Sequence, residues 1–348
     1  MDLSFYTGKK VFVTGHTGFK GTWLSNVLLQ AGALVTGYSL KSATNPSLFE
    51  QTNTGCRMTS IIGDIRDLAS LSKAVRESEP EIVFHLAAQP LVRLSYREPV
   101  GTYETNVMGT VHILEAIRHT PSVRSFVNVT TDKVYEIREW HWGYRENDNL
   151  DGYDPYSNSK SCSELVTSSY RNSFFSQPDS PSVSTARSGN VIGGGDYSED
   201  RIIPDCVRAS RAGKQIVVRN PHSTRPYQHV LDCLSGYLLL AEKQYQDSSL
   251  EGSYNFGPDD VSCVTTGALV SVFCEYWKGT SWIAQKIGGP HEAGFLKLDC
   301  SKAKSVLHWN PHWDINVAVE KVVEFARLGS DEERNACLEK HIHEYFSF

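Results

Sequence analysis

Short apolar runs alternate with longer stretches of helical spacing through the first half of the chain. Lys10–Thr14 (KVFVT) is rich in strand formers and stops at glycines, and Thr22–Gln30 carries Leu and Val at helical intervals. Leu34–Tyr38 predicts a second strand and Ile61–Ile62 a third, leading into Gly63-Asp64. Leu68–Glu77 has helical spacing, Ile82–Leu86 (IVFHL) reads as a strand, Thr102–Arg118 as a helix and Ser125–Thr130 (SFVNVT) as a strand. A helix over Tyr156–Asn172 and a strand over Val183–Arg187 close the series. Parallel strands need crossovers, so this repetition predicts a parallel sheet covered on both faces. The expected class is α/β, a doubly wound parallel Rossmann-type sheet.

After Gly189 the alternation weakens. Gly193-Gly194-Gly195-Asp196 and Arg219–Arg225 read as loops, a helix over Leu231–Gln244 returns to the sheet, and Tyr254–Pro258 ends another short strand. From about Val261 a smaller mixed α/β substrate-binding lobe is expected. The boundary is interleaved. Residues 1–188 with about 227–258 would form the dinucleotide-binding unit, and about 189–226 with 259–348 the substrate-binding lobe.

Composition narrows the function classes. The net charge of -6 argues against general nucleic-acid binding, which wants a basic face. No apolar run approaches the roughly 20 residues that span a bilayer, and a strand begins too early for a signal-peptide apolar region. The eight cysteines are scattered without a Cys-x-x-Cys, the pattern of reduced cytoplasmic thiols rather than a disulfide frame or zinc site. His341 and His343 diverge on a predicted helix and do not suggest a metal.

Gly15-His16-Thr17-Gly18-Phe19-Lys20-Gly21 follows the first strand and opens the first helix. Glycines there permit a tight turn and close approach to a pyrophosphate, and the helix N-terminus offers free N–H groups. Asp64, before Ile65, could reach an adenine amino group or simply stand as an acid at a helix start. Leu86-Ala87-Ala88-Gln89 supplies small residues where a ribose or nicotinamide passes. The acid expected after the second strand is missing: the chain reads Gly37-Tyr38-Ser39-Leu40-Lys41. With Lys20 in the loop, NADP stays open beside NAD.

Tyr156 and Lys160 stand at i, i+4, one turn apart on one helix face, where the ammonium can favour a phenolate base. Thr131 lies at the carboxyl edge of the fifth strand, where doubly wound sheets hold ligands. Tyr156 can take a hydroxyl proton that Thr131 steadies as hydride leaves the carbon. Asp132 and Lys133 exceed what hydride transfer needs. After a ketone forms, a lysine base and a carboxylic acid there could remove the neighbouring proton and expel a hydroxyl. The bland readings are a surface Tyr/Lys pair and a capping acid beside a solvated lysine.

These residues resemble the extended short-chain dehydrogenase/reductase family, and within it the nucleotide-sugar 4,6-dehydratases. The likeness covers nearly the whole chain. It rests on Gly15–Leu24, Thr130-Thr131-Asp132-Lys133-Val134-Tyr135, Asp154–Lys160, Ala186–Val191, Arg225-Pro226-Tyr227-Gln228-His229, His291-Glu292-Ala293 and Leu298–Ala303. Related TDP-glucose enzymes have Glu where this chain has Lys133, and epimerases lack the Asp. The resemblance implies CDP-glucose as substrate, NAD retained through turnover, and an early step toward deoxysugars of surface polysaccharides. It further implies Gln89, Arg187, Asn190, Arg201, Arg219 and Arg225 at the substrate, Asn106 beside the catalytic lysine, and a homodimer through roughly Thr102–Arg118 and Tyr156–Asn172. UDP-N-acetylhexosamine dehydratase, an epimerase or plain dehydrogenase, and a non-catalytic dinucleotide-sensing regulator are the competing readings. Glu136–Asp154, with Trp140 and Trp142, reads as a flap over the substrate or a packed surface loop.

Overall fold

The computed structural model describes residues 1–285 and 293–346. His291 and Glu292, from one of the motif segments, therefore lie outside the described residues. The strands are β1 (Lys10–Thr14), β2 (Leu34–Ser39), β3 (Thr59–Ile62), β4 (Ile82–His85), β5 (Ser125–Val129), β6 (Ser182–Ser188), β7 (Val191–Ile192), β8 (Ile216–Val218), β9 (Thr224–Pro226), β10 (Gln228–His229), β11 (Ser253–Phe256), β12 (Cys263–Thr265) and β13 (Trp282–Ala284). The helices are α1 (Phe19–Gln30), α2 (Leu48–Gln51), α3 (Leu68–Ser78), α4 (Val92–Arg97), α5 (Pro99–Tyr103), α6 (Gly109–Arg118), α7 (Pro155–Phe174), α8 (Ile202–Arg211), α9 (Val230–Gln246), α10 (Thr266–Tyr276), α11 (Ser301–Val306), α12 (Ile315–Ala326) and α13 (Asp331–Tyr345).

Seven strands form one sheet in the order β11-β6-β5-β4-β1-β2-β3, with every pairing parallel. All five residues of β5 and all seven of β6 are buried, because helices cover both faces. The strand order reverses between β1 and β4, which opens a crevice at their carboxyl ends. The helix foreseen over Thr102–Arg118 is not continuous. A π-helical turn at Glu104–Met108 separates α5 from α6 and turns Asn106 inward, where it is 1% exposed.

Three two-stranded pairs, β7–β10, β9–β12 and β8–β13, build the smaller lobe. Its own apolar cluster includes Ile203, Cys206, Val218, Leu269, Phe273 and Val319. The last part of the chain departs from the expected lobe. Leu298, Trp309, Leu338, Ile342 and Tyr345 belong to the main core instead. Two buried bonds to α9 hold them there: Trp309 Nε1 donates to Ser235 Oγ at 3.0 Å, and Tyr345 OH to Asp232 Oδ1 at 2.6 Å.

Residues 136–154 are tied to the rest of the chain at three points, while Trp142 and Tyr153 stay exposed. Tyr135 bridges Leu150, Tyr144 bridges Leu298, and Glu146 Oε1 accepts from Asn255 N at 2.8 Å. Among the described residues no helix is long and apolar enough to cross a membrane.

Candidate active site

The glycine loop is shaped by contacts that exclude side chains. Gly15 has φ +75°, and a Cβ there would stand 2.8 Å from Ala87 N; one at Gly21 would overlap Gly15 O. Gly18 is the N-cap of α1 and brings no side chain to cap it, which suits the helix start to a ligand's oxygens. Thr17 Oγ1 ties the loop to the end of β2, donating to Leu40 O at 2.8 Å with Ser39 Oγ at 2.9 Å. This bare, uncapped cradle fits a dinucleotide pyrophosphate. The missing second-strand acid gains a physical setting here. The His16 ring lies where a side chain at Gly37 would be, its Nε2 is 2.7 Å from Ser60 Oγ, and burial brings its pKa to about 4.

Other expected cofactor residues are placed less directly. Asp64 is gripped by Arg66, whose Nη2 is 2.6 Å from Oδ2, while Asp67 takes the helix-capping role on α3. Ile65 is buried in the core beneath Gly109, so it offers backbone rather than side chain. The N–H groups of Leu86 and Ala87 donate to Thr14 Oγ1, each at 3.1 Å, and Ala88 follows them half-buried. Asn106 does not bond Lys160. Its Oδ1 accepts from Gln89 N at 2.8 Å and its Nδ2 donates to Ser159 Oγ at 2.9 Å, joining the β4 loop to α7. The Gln89 side chain is turned onto Leu91 and Thr102. Phe19 packs where Gly193 has no side chain, and Lys20 Nζ donates to Ser188 Oγ at 3.0 Å at the end of β6.

The triplet and the Tyr/Lys pair meet across the end of β5. Thr131 caps the short turn Asp132–Val134 and donates to Asp132 Oδ1 at 3.0 Å. Asp132 is 1% exposed and its Oδ2 has no hydrogen-bond partner among the described residues. Burial raises its carboxyl pKa, against the pull of Lys133, Thr131, Arg225 and Lys20. Lys133 is half-buried on the same cleft. Asp154 caps α7 and Pro155 starts it, so Tyr156 and Lys160 stand in the first turns. Burial pushes the Tyr156 phenol up to about 12, opposed first by a Thr131 hydrogen bond and then by Arg201. Arg201 is a cation near the phenol that helical spacing could not reveal. Burial brings Lys160 down to about 8, helped by Lys20 and opposed by Glu164.

One cleft of about 1110 Å³ takes in Thr131, Asp132, Lys133, Tyr156, Asn190 and the three arginines 201, 219 and 225. Arg201 is paired with Asp196 at 3.0 Å, and Arg219 with Asp200 at 3.1 Å. Arg225 donates to Thr224 O at 2.9 Å and to Ala293 O. Arg93, which the sequence reading passed over, also lines the cleft, 3.7 Å from Asp200. Arg187 is the correction. It is 2% exposed and clasps Glu164 through Nε at 2.9 Å and Nη2 at 2.8 Å, so it is a buried partner and not a substrate contact.

Glu324, Cys337 and His341 form a cluster whose ligand atoms lie within 4.8 Å of one another. Lys340 at 2.7 Å and Lys321 at 3.5 Å already neutralise Glu324, so the group reads as an ion-paired clasp between α12 and α13.

Comparison with known proteins places these features. The family model described as GDP-mannose 4,6 dehydratase matches residues 12–322. A CDP-glucose 4,6-dehydratase of Salmonella typhimurium is 48% identical over 100% of this chain and 99% of its own length. A dTDP-glucose 4,6-dehydratase of Streptomyces antibioticus is 28% identical over 91% of this chain and 92% of its own. Among solved structures, Thermus thermophilus UDP-glucose 4-epimerase in complex with NAD superposes with a TM-score of 0.78 at 25% identity, covering 91% of this chain and 98% of that one.

Proposed function

The chain belongs to the nucleotide-sugar 4,6-dehydratases of the extended short-chain dehydrogenase/reductase family, and on that premise we propose that it removes water from CDP-D-glucose to give CDP-4-dehydro-6-deoxy-D-glucose. The observation that carries this reading is Asp132, a buried carboxyl with one oxygen unpartnered, beside Thr131 at the cleft. An epimerase has no use for an acid there. The 48% identity over the full chain supports the CDP-sugar over the UDP-N-acetylhexosamine alternative. The glycine cradle supports a dinucleotide, and the NAD held in the solved relative supports NAD as that coenzyme.

Bound nicotinamide supplies a place for hydride to leave the sugar and a source from which it returns. The chain's own groups do the rest. Tyr156 takes the C4 hydroxyl proton while Thr131 steadies the same oxygen, and Lys160 holds positive charge one turn away. The C4 ketone acidifies the C5 hydrogen, which Lys133 removes, and Asp132 protonates the departing C6 hydroxyl. Lys133 then returns its proton to C5 as C6 becomes a methyl group. The protons balance: the one taken by Tyr156 replaces the one given by Asp132, with Thr131 between them. Arg201, Arg219 and Arg225, with Asn190, hold the diphosphate, since guanidinium forks match phosphate oxygens.

We place the coenzyme on residues 1–188 with about 227–258, and the sugar nucleotide on about 189–226 with the lobe that follows. Exposed Val100, Met108, Leu165 and Phe174 support a homodimer through α5–α7. Eight free cysteines support work in the cytoplasm, as an early step toward deoxysugars of surface polysaccharides. The test is turnover of CDP-glucose with catalytic NAD. A 4-keto-6-deoxy sugar should form without net reduction of coenzyme, whereas stoichiometric reduction with the C6 oxygen retained would overturn the dehydratase reading.

A further inference from the structure

We infer that Glu164 and Arg187 are positioning residues of this dehydration: a buried ion pair, beyond reach of the sugar, that locks the Tyr156/Lys160 helix onto the strand end carrying Thr131, Asp132 and Lys133. The inference rests on the dehydratase reading. Glu164 is on α7 one turn after Lys160 and is 3% exposed. Its Oε1 accepts from Thr130 Oγ1 at 2.5 Å and its Oε2 from Thr185 Oγ1 at 2.6 Å. Arg187, from β6, closes both carboxylate oxygens and donates to Tyr135 OH at 2.8 Å. Thr130 and Tyr135 bracket the triplet. A single carboxylate–guanidinium pair therefore fixes both ends of the segment that carries it. Two further bonds set the same register: Lys160 Nζ to Val129 O at 3.0 Å and Ser161 Oγ to Val134 O at 2.7 Å.

The pair also sets the charge around Lys160. The groups facing that amine are Lys20 from α1, Glu164 on α7 itself and His85 from β4, the last kept neutral by burial. Glu164 opposes Lys20, and Arg187 keeps Glu164 ionised. Removing the carboxylate takes away the group that opposes Lys20 at Lys160. Lys160 then gives up its proton at lower pH.

The experiment measures pH profiles of kcat and KM for CDP-glucose with the NAD-loaded enzyme, in wild type, Glu164→Gln and the double variant Glu164→Gln/Arg187→Met. In Glu164→Gln, kcat should fall about tenfold with KM within about twofold, and the profile should move down by about one pH unit. The double variant should keep the lowered profile, because Glu164 is the member that acts on Lys160, and its kcat should stay low. Because it buries no unpaired charge, it also serves if the single variant does not fold. A Glu164→Gln profile that superposes on wild type, a loss wholly in KM, or a double variant with wild-type kcat would each overturn the inference. Failure of the wild type itself to dehydrate CDP-glucose would instead strike the proposed function.

Discussion

Lys160 Nζ donates to the carbonyl oxygen of Val129 across 3.0 Å, so the amine one turn beyond Tyr156 is anchored on the strand that leads to Thr131. The helix pair and the strand-end triplet are thus parts of one constellation. Burial at that anchor lowers the Lys160 pKa to about 8, with Lys20 adding to the effect.

Lys160 holds its charge below about 8 and loses it as pH rises through that value. Turnover should therefore decline on the alkaline side. Lys160→Arg, charged throughout, should remove that decline even if the maximal rate falls. A pH profile of kcat for the two proteins checks this, and identical alkaline limbs would exclude Lys160 as its source.

Lys133→Ala should leave C4 oxidation measurable while slowing exchange of the C5 hydrogen with solvent by about 10²-fold or more, the usual scale for losing a general base. Deuterium uptake from D₂O in a single turnover reads the step directly. Unchanged uptake would remove Lys133 from the base role.

Asp200 occupies Arg219 at 3.1 Å and lies 3.7 Å from Arg93, so a carboxylate stands where a diphosphate would need both cations. Arg219→Ala should raise KM about tenfold with little change in kcat, the sign of lost uniform binding. Asp200→Ala should lower KM. Steady-state kinetics with CDP-glucose distinguishes the two directions.

Burial alone would raise the Glu324 pKa, but hydrogen bonds from Lys340 and His341 bring it to about 2. A carboxyl lowered in the folded state adds stability that is present above its unfolded value and lost as pH falls toward about 2. Glu324→Gln should cost about 1 kcal/mol at neutral pH, after allowance for solvent screening. Denaturant midpoints of the two proteins should converge as the solution is acidified through that range.

Much of the fold was legible because it is local. Alternating apolar runs and helical spacing specify strands and crossovers, and the Tyr156/Lys160 spacing fixes a shared helix face whatever surrounds it. The glycine loop likewise declares a backbone that admits no side chain at Gly15 or Gly21. Partners are another matter. Nothing along the chain tells Arg187, clasped by Glu164, from Arg225 on the cleft, because a guanidinium's partner is chosen by packing between distant segments. The same holds for Asp64 held by Arg66, for the Arg201 charge acting on the Tyr156 phenol, and for α13 joining the main core through Asp232. The sequence by itself determined which elements form and which chemical groups stand at the sheet's edge. Only the tertiary structure decided which charges are free to meet a ligand, since that depends on which of them are already buried against one another.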